Sequence, residues 1–461
     1  MTANLFERFL STPEAAEAFG DVSIIQGMLD FEGALARAQA AEGIIPAEAA
    51  AVISGACRAE RFDAEAIVAG GSLAGTLAIP LVKQLTAAVA AQDADAAGWV
   101  HWGSTSQDVI DTAVVLATQH ALASIDASLG SLIAALTKLA QVHRDTPMLG
   151  RTLLQPALVI SVGFKLTSWV APLVRGRERL RLAARAALKL QLGGAVGTLS
   201  VMGDKGSAVA QRMAADLGLK VAPGAWHTQR DEWVALACEA GVLCGSFGKI
   251  AKDISLLAQA EVAEMAEPSG GGRGGSSAMP HKRNPVASML ALAAAARAPH
   301  RVAALLATMP QEHERGLGNW QAELAEWPGL FMSTHGAAHA LAEAAAGLSV
   351  DAARMRANID ALHGLVFAEA ASMLVAKHVG KSRAHALLES LSKRCVAEQR
   401  PLLDVALESL AGDAALASLI TADELRAVFD VNAAARHASS TVDSQWADLR
   451  ARAAALDAEP L

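Results

Sequence analysis

Apolar residues recur along this chain at intervals of three and four over stretches much longer than an ordinary helix. In the segment 227–267, Trp233, Val234, Leu236, Leu243, Phe247, Ile250, Ile254, Leu256 and Leu257 fall on several sides of one helix. Segments 111–143 and 157–190 read the same way, interrupted by isolated Gly or Pro. A helix of about 40 residues would span roughly 60 Å, more than one domain core, and one apolar on several faces must be covered on several sides. These segments therefore predict a bundle of long helices that also meets other copies. Gly193, Gly194 and Gly206 punctuate a break between two of them. The first hundred residues read as shorter helices broken at Gly43, Pro46, Gly70, Gly71 and Gly75, and shorter helices return after Asp351, with Gly380 and Pro401 between them. The reading is all-α, with three helical domains: 1–110, a central long-helix bundle over 111–350, and 351–461.

Composition supports this picture. Of 461 residues 52% are hydrophobic but only 4% aromatic, with no tyrosine, so the core must be built from Ala, Leu and Val. Alanine is the best helix former and lets helices approach closely. A formal charge of −8 argues against a nucleic-acid partner, which would call for a basic face. Cys57, Cys238, Cys244 and Cys395 form no CxxC pair and suggest neither a zinc site nor a disulfide framework. Charges at Glu7 and Arg8 precede any apolar run, and the longest uninterrupted apolar stretch, near 286–296, falls short of a membrane span. The expectation is a soluble, cytoplasmic protein without a membrane partner.

Candidate chemistry concentrates in three segments. The first, 270–285, reads GGGRGGSSAMPHKRNP. Five glycines in six positions are costly to order unless the chain must bend, open or approach a ligand. A solvated linker would explain the glycines but not the half from Met279 to Pro285. There Lys282 and Asn284 stand just before a proline and an apolar helix, where a cation, an amide and free N–H groups can converge on an anion. Ser276 is a poor base alone and needs such positive neighbours; Ser276 and Ser277 also suit a helix cap. A dinucleotide-binding reading of the glycines fails because no strand precedes them. The second segment, His101 to Thr112 (HWGSTSQDVIDT), puts hydroxyls and free N–H groups at a helix start, where capping alone accounts for Asp108. His101, beside Trp102, reads equally as a packed histidine or a ligand contact. The third is Gly150 to Ala157, GRTLLQPA.

Together these segments resemble the fumarase/aspartase superfamily, whose loop signature GSSxMPxKxNP is matched by residues 275–285, and the resemblance covers essentially the whole chain. It implies that Ser276 carries the proton to or from the carbon beside a substrate carboxylate, while Lys282 and Asn284 stabilise the aci-carboxylate that forms. It also assigns substrate contacts to Thr105, Ser106 and Gln107, and suggests them for His101, Thr152, Gln155, Gln229, Arg230 and Arg315; an ion-paired helix start explains Gln229 and Arg230 about as well, and packing explains Thr152 and Gln155. A homotetramer whose sites each collect segments from three subunits is implied, with a small tricarboxylate substrate and neither cofactor nor metal.

One departure narrows the chemistry. After the Arg-Thr pair, amine-expelling members normally present a histidine that assists the departing group, but Thr152 is followed here by Leu153 and Leu154. Losing a general acid costs on the order of 10² to 10⁴ in rate, whereas a carboxylate leaves and attacks as the free anion. The expectation is lactone chemistry, and the resemblance to the superfamily's lactone-forming branch implies the closure of 3-carboxy-cis,cis-muconate to its γ-lactone. The segments Gln26 to Glu32, Leu77 to Lys83, His101 to Gly103 and Glu312 to Gln321 resemble the lactone-forming branch of the family. The alternatives are an amine-expelling lyase of the adenylosuccinate type and, more remotely, a helical structural protein, against which Ser276, Lys282 and Asn284 weigh.

Overall fold

A computed structural model describes residues 5–270, 272–275, 278–279 and 281–459. Its frame consists of long helices: α1 (Asp21–Ala41), α2 (Ser106–Val142), α3 (Val162–Ala187), α4 (Asp231–Leu257), α5 (Val286–Thr308), α6 (Asn319–Ala346) and α7 (Asp443–Ala458). Helices α2 to α6 form the bundle, with α5 lying against both α4 and α6 and α2 against both α3 and α6. Pro172, Pro299 and Pro328 sit inside helices that continue past them.

The segment 157–190 is not one helix. Its start is a strand, β2 (Gln155–Ser161), paired antiparallel with β1 (Pro147–Thr152); α3 begins only where Ser161 Oγ accepts from Phe164 N at 3.0 Å. A run such as Ala157 to Val162 suits a buried strand as well as a helix, and non-local pairing decides. Leu149 and Val159 root the hairpin against Ile359, Phe367 and Val431 of the C-terminal part. A second short pairing joins Met265–Ala266 to Ser349–Val350.

The main core runs continuously from Met28, Leu29 and Phe31 of α1 through Trp169, Phe247 and Leu330, and a smaller one around Leu388, Leu391, Leu402 and Val405 serves the C-terminal helices. Trp233 and Trp327 stack with ring centroids 3.8 Å apart. Buried charges are paired: Asp126 of α2 takes forked bonds of 2.6–2.9 Å from Arg177 and Arg181 of α3, and Arg177 passes a further bond to Asp457 of α7. His335 of α6 shares a 2.8 Å hydrogen bond with Thr12, which ties the N-terminal segment to the bundle. By length and composition alone α2, α4 and α5 would be apolar enough to cross a membrane. Instead, α4 packs on α5, while α2 packs on α1, α3 and α6 and carries the buried carboxylates Asp111 and Asp126.

Candidate active site

Asp108 organises the site. Fully buried in the first turn of α2, its carboxylate accepts from Thr105 N (3.0 Å), Gly193 N (3.0 Å), Gly194 N (2.9 Å) and His227 Nε2 (2.7 Å). The helix start is thus capped, and the same side chain fastens the glycine break to it. Gly194 has φ +69° and lies so close that a Cβ would come within 2.9 Å of the Gly103 carbonyl, so only glycine suits this junction.

On this platform sit Thr105, Ser106, Gln107 and Arg315. The Arg315 guanidinium donates to Thr105 Oγ1, to Ser106 Oγ at 3.2 Å and to Gln107 Oε1 at 3.3 Å. Gln107 is oriented by its own donations to Asp111 Oδ2 (3.2 Å) and the His227 carbonyl (2.9 Å). Two hydroxyls and a forked cation held together make a seat for a carboxylate. Beside them opens a cavity of about 290 Å³ lined by Ala78, Ile79, Val82, His101, Ser104, Thr105 and Ser106. His101 Nδ1 is 2.6 Å from the Oε1 of buried Glu32 and 2.9 Å from Ser104 Oγ. Burial works against a charge on the ring, but Glu32, and less strongly Asp108, outweigh it and hold the imidazole above its ordinary value.

The Arg230 guanidinium is buried between Asp111 (2.9 Å) and Glu323 and lies over the Trp226 ring at 4.5 Å, the ion-paired helix start that the sequence offered beside a substrate contact. Burial opposes its charge, yet the two carboxylates hold it protonated. Gln229, next to it, is exposed.

The other two segments stand apart. At the base of the glycine loop, Glu267 accepts from Ala287 N (3.0 Å), Ser288 N (2.9 Å) and Ser288 Oγ (2.6 Å), capping α5. Asn284 N donates to the Gly274 carbonyl at 2.8 Å, closing the loop upon itself. Lys282 is exposed and Asn284 half-buried, while Ser276 and Ser277 lie outside the described residues. Thr152 and Gln155 pair across the end of the hairpin, and Leu153 and Leu154 form its tip, both with positive φ (+52° and +65°) and 96% and 73% exposed. Among the described residues, no hydrogen bond or ion pair joins Lys282, Asn284, Thr152 or Gln155 to the Thr105–Arg315 cluster. Glu32, Glu267 and the organising role of Asp108 were not singled out from sequence, since their partners lie far away along the chain.

Residues 7–299 match the lyase family and residues 364–444 the adenylosuccinate lyase C-terminus. The chain belongs to this lyase family, the fumarase/aspartase superfamily. Within it, the chain is 49% identical to 3-carboxy-cis,cis-muconate cycloisomerase of Bradyrhizobium diazoefficiens, with 92% of this chain and 94% of that protein aligned. The corresponding protein of Pseudomonas aeruginosa is 46% identical, with 92% of each covered. The crystal structure of 3-carboxy-cis,cis-muconate lactonizing enzyme from Pseudomonas putida superposes with a TM-score of 0.90 at 42% identity, covering 98% of this chain and all of that one.

Proposed function

We propose that this chain closes 3-carboxy-cis,cis-muconate to its γ-lactone. The carrying observation is the hairpin tip: where amine-expelling members offer a histidine, Leu153 and Leu154 present no group able to protonate a departing amine. The family and the similarity to the cycloisomerases support the same reading.

In the reaction one substrate carboxylate oxygen attacks the far double bond. The new C–O bond pushes the π electrons toward the carbon beside another carboxylate, which becomes an aci-carboxylate. Lys282 and Asn284 stabilise that charge, Thr105, Ser106, Gln107 and Arg315 hold a carboxylate, Thr152 and Gln155 line the remaining side, and Ser276 delivers a proton to the carbon. No metal enters this scheme, so activity should survive a chelator. Because, among the described residues, no hydrogen bond or ion pair joins the three groups within one chain, each site is assembled from neighbouring copies, in a cytoplasmic homotetramer. The exposed, apolar flank of α5, with Met289 and Leu306, suits such packing.

The deciding assay incubates purified protein with 3-carboxymuconate and, separately, with adenylosuccinate, following ultraviolet absorbance. Loss of the first substrate alone is expected; cleavage of the second without the first would sink the proposal.

A further inference from the structure

The best-organised ionisable pair bordering the cavity is one whose buried member has no part in the reaction scheme above. Glu32 lies on the inner face of α1, its side chain 0% exposed, with Oε1 at 2.6 Å from His101 Nδ1 and with Oε2 lacking a hydrogen-bond partner among the described residues. A buried carboxylate so poorly satisfied is expensive unless its one partner carries positive charge. The partner is held in place at some cost. His101 has φ +61°, unusual for a residue with a side chain, and the turn around it is fixed by Gln39 Nε2 donating to the Trp102 carbonyl at 2.7 Å and by Trp102 packing on Trp99. Strain maintained by several independent contacts marks a position that geometry must hold. With Nδ1 engaged by Glu32, Nε2 is left without a partner among the described residues, on a ring 21% exposed that lines the cavity beside Thr105 and Ser106.

We propose that Glu32 is a positioning residue: its carboxylate fixes the ring and the charge of His101, so that Nε2–H is presented to the cavity as a second donor for a substrate carboxylate, next to the Thr105, Ser106 and Arg315 seat. Charged and titratable groups around the pair fit this role. Asp108, from the start of α2, also favours the imidazolium, and Asp30 and Arg37 flank Glu32 along α1. The Cys57 thiol is pushed up to about 12, by burial first and then by Glu32, so it stays neutral and does not compete for the role of anion. A tricarboxylate needs more cationic partners than Lys282 and Arg315 provide, and His101 supplies one whose charge depends on pH. The substrate named here rests on the cycloisomerase reading; the dyad itself does not.

The test is Glu32→Gln in the full-length protein. It keeps the shape but removes the charge. The His101 imidazole, followed by ¹⁵N-histidine NMR in the unliganded protein and assigned by its disappearance in His101→Asn, should titrate at lower pH in Glu32→Gln. In turnover, KM for 3-carboxymuconate should rise by about tenfold with kcat nearly unchanged, as for one lost charge-assisted bond. The limb along which KM climbs with pH should move to lower pH, and Glu32→Asp should recover part of both. In a His101→Asn background Glu32→Gln should add less than about twofold. An unchanged His101 titration, or a rise in KM whose pH profile does not move, overturns the proposal. If Glu32→Gln fails to fold, Glu32→Asp decides by the same two readouts. Should the wild-type protein not consume 3-carboxymuconate, the cycloisomerase reading falls, while the NMR titration still decides the dyad.

Discussion

Arg230 makes two buried ion pairs, and that decides what its loss would do. Arg230→Met should leave Asp111 and Glu323 facing each other without a cation, at a cost on the order of 3–5 kcal/mol, seen as a lower midpoint in thermal or urea unfolding before any change in KM is attributed to binding. Ser276→Ala should do the opposite: a normal unfolding midpoint with turnover slowed by roughly 10² or more; unchanged turnover would remove Ser276 from proton transfer. His335 sets a pH limit. Burial, helped by His339, pushes its ring down to about 4, against an ordinary value of 6.5. The unfolded chain therefore takes up a proton that the folded chain refuses as pH falls from about 6.5 to 4, so its stabilising effect, complete above that window, is lost across it. His335→Gln should flatten the acid limb of a melting-temperature profile, and an unaltered limb would assign it elsewhere. Residue types were legible in the sequence at this scale, but their partners were not. Asp108 reads as a helix cap from Thr105 alone, and only the fold brings Gly193, Gly194 and His227 to it.

Among the elements, the long helices announce themselves because a 3.6-residue period repeated over many turns has no other explanation, and α2 and α4 lie within the segments so read or extend them by a turn or so. The hairpin did not. Val159, Ile160 and Ser161 continue the apolar pattern of α3, and the strand is specified by its pairing with Met148 and Leu149 and its packing against Phe367. Its tip departs from local preference as well. Asn and Gly favour two successive positive φ values, and solvent gives no reason to place leucines there. Leu153→Ala should therefore leave unfolding within about 0.5 kcal/mol of wild type, since the side chain touches little in its own chain. It should nonetheless lower kcat/KM by about tenfold if the tip walls a neighbour's site; wild-type kinetics would place the tip outside catalysis.

At the scale of the whole molecule, one chain folds around a main core and smaller satellite cores, and its candidate site segments lie in three places. On the shared-site proposal, fold and chemistry have different units: the chain is the unit that folds, and the assembly is the unit that reacts. Specific activity should fall on dilution, once copies separate, while helicity by circular dichroism stays constant; activity per mole that is flat down to concentrations where light scattering reports single chains would contradict this. The exposed leucine tip gives this its sharpest form. On the shared-site proposal such a side chain acts in a molecule other than the one that carries it, so a stability screen of single chains would score Leu153 and Leu154 as free to vary.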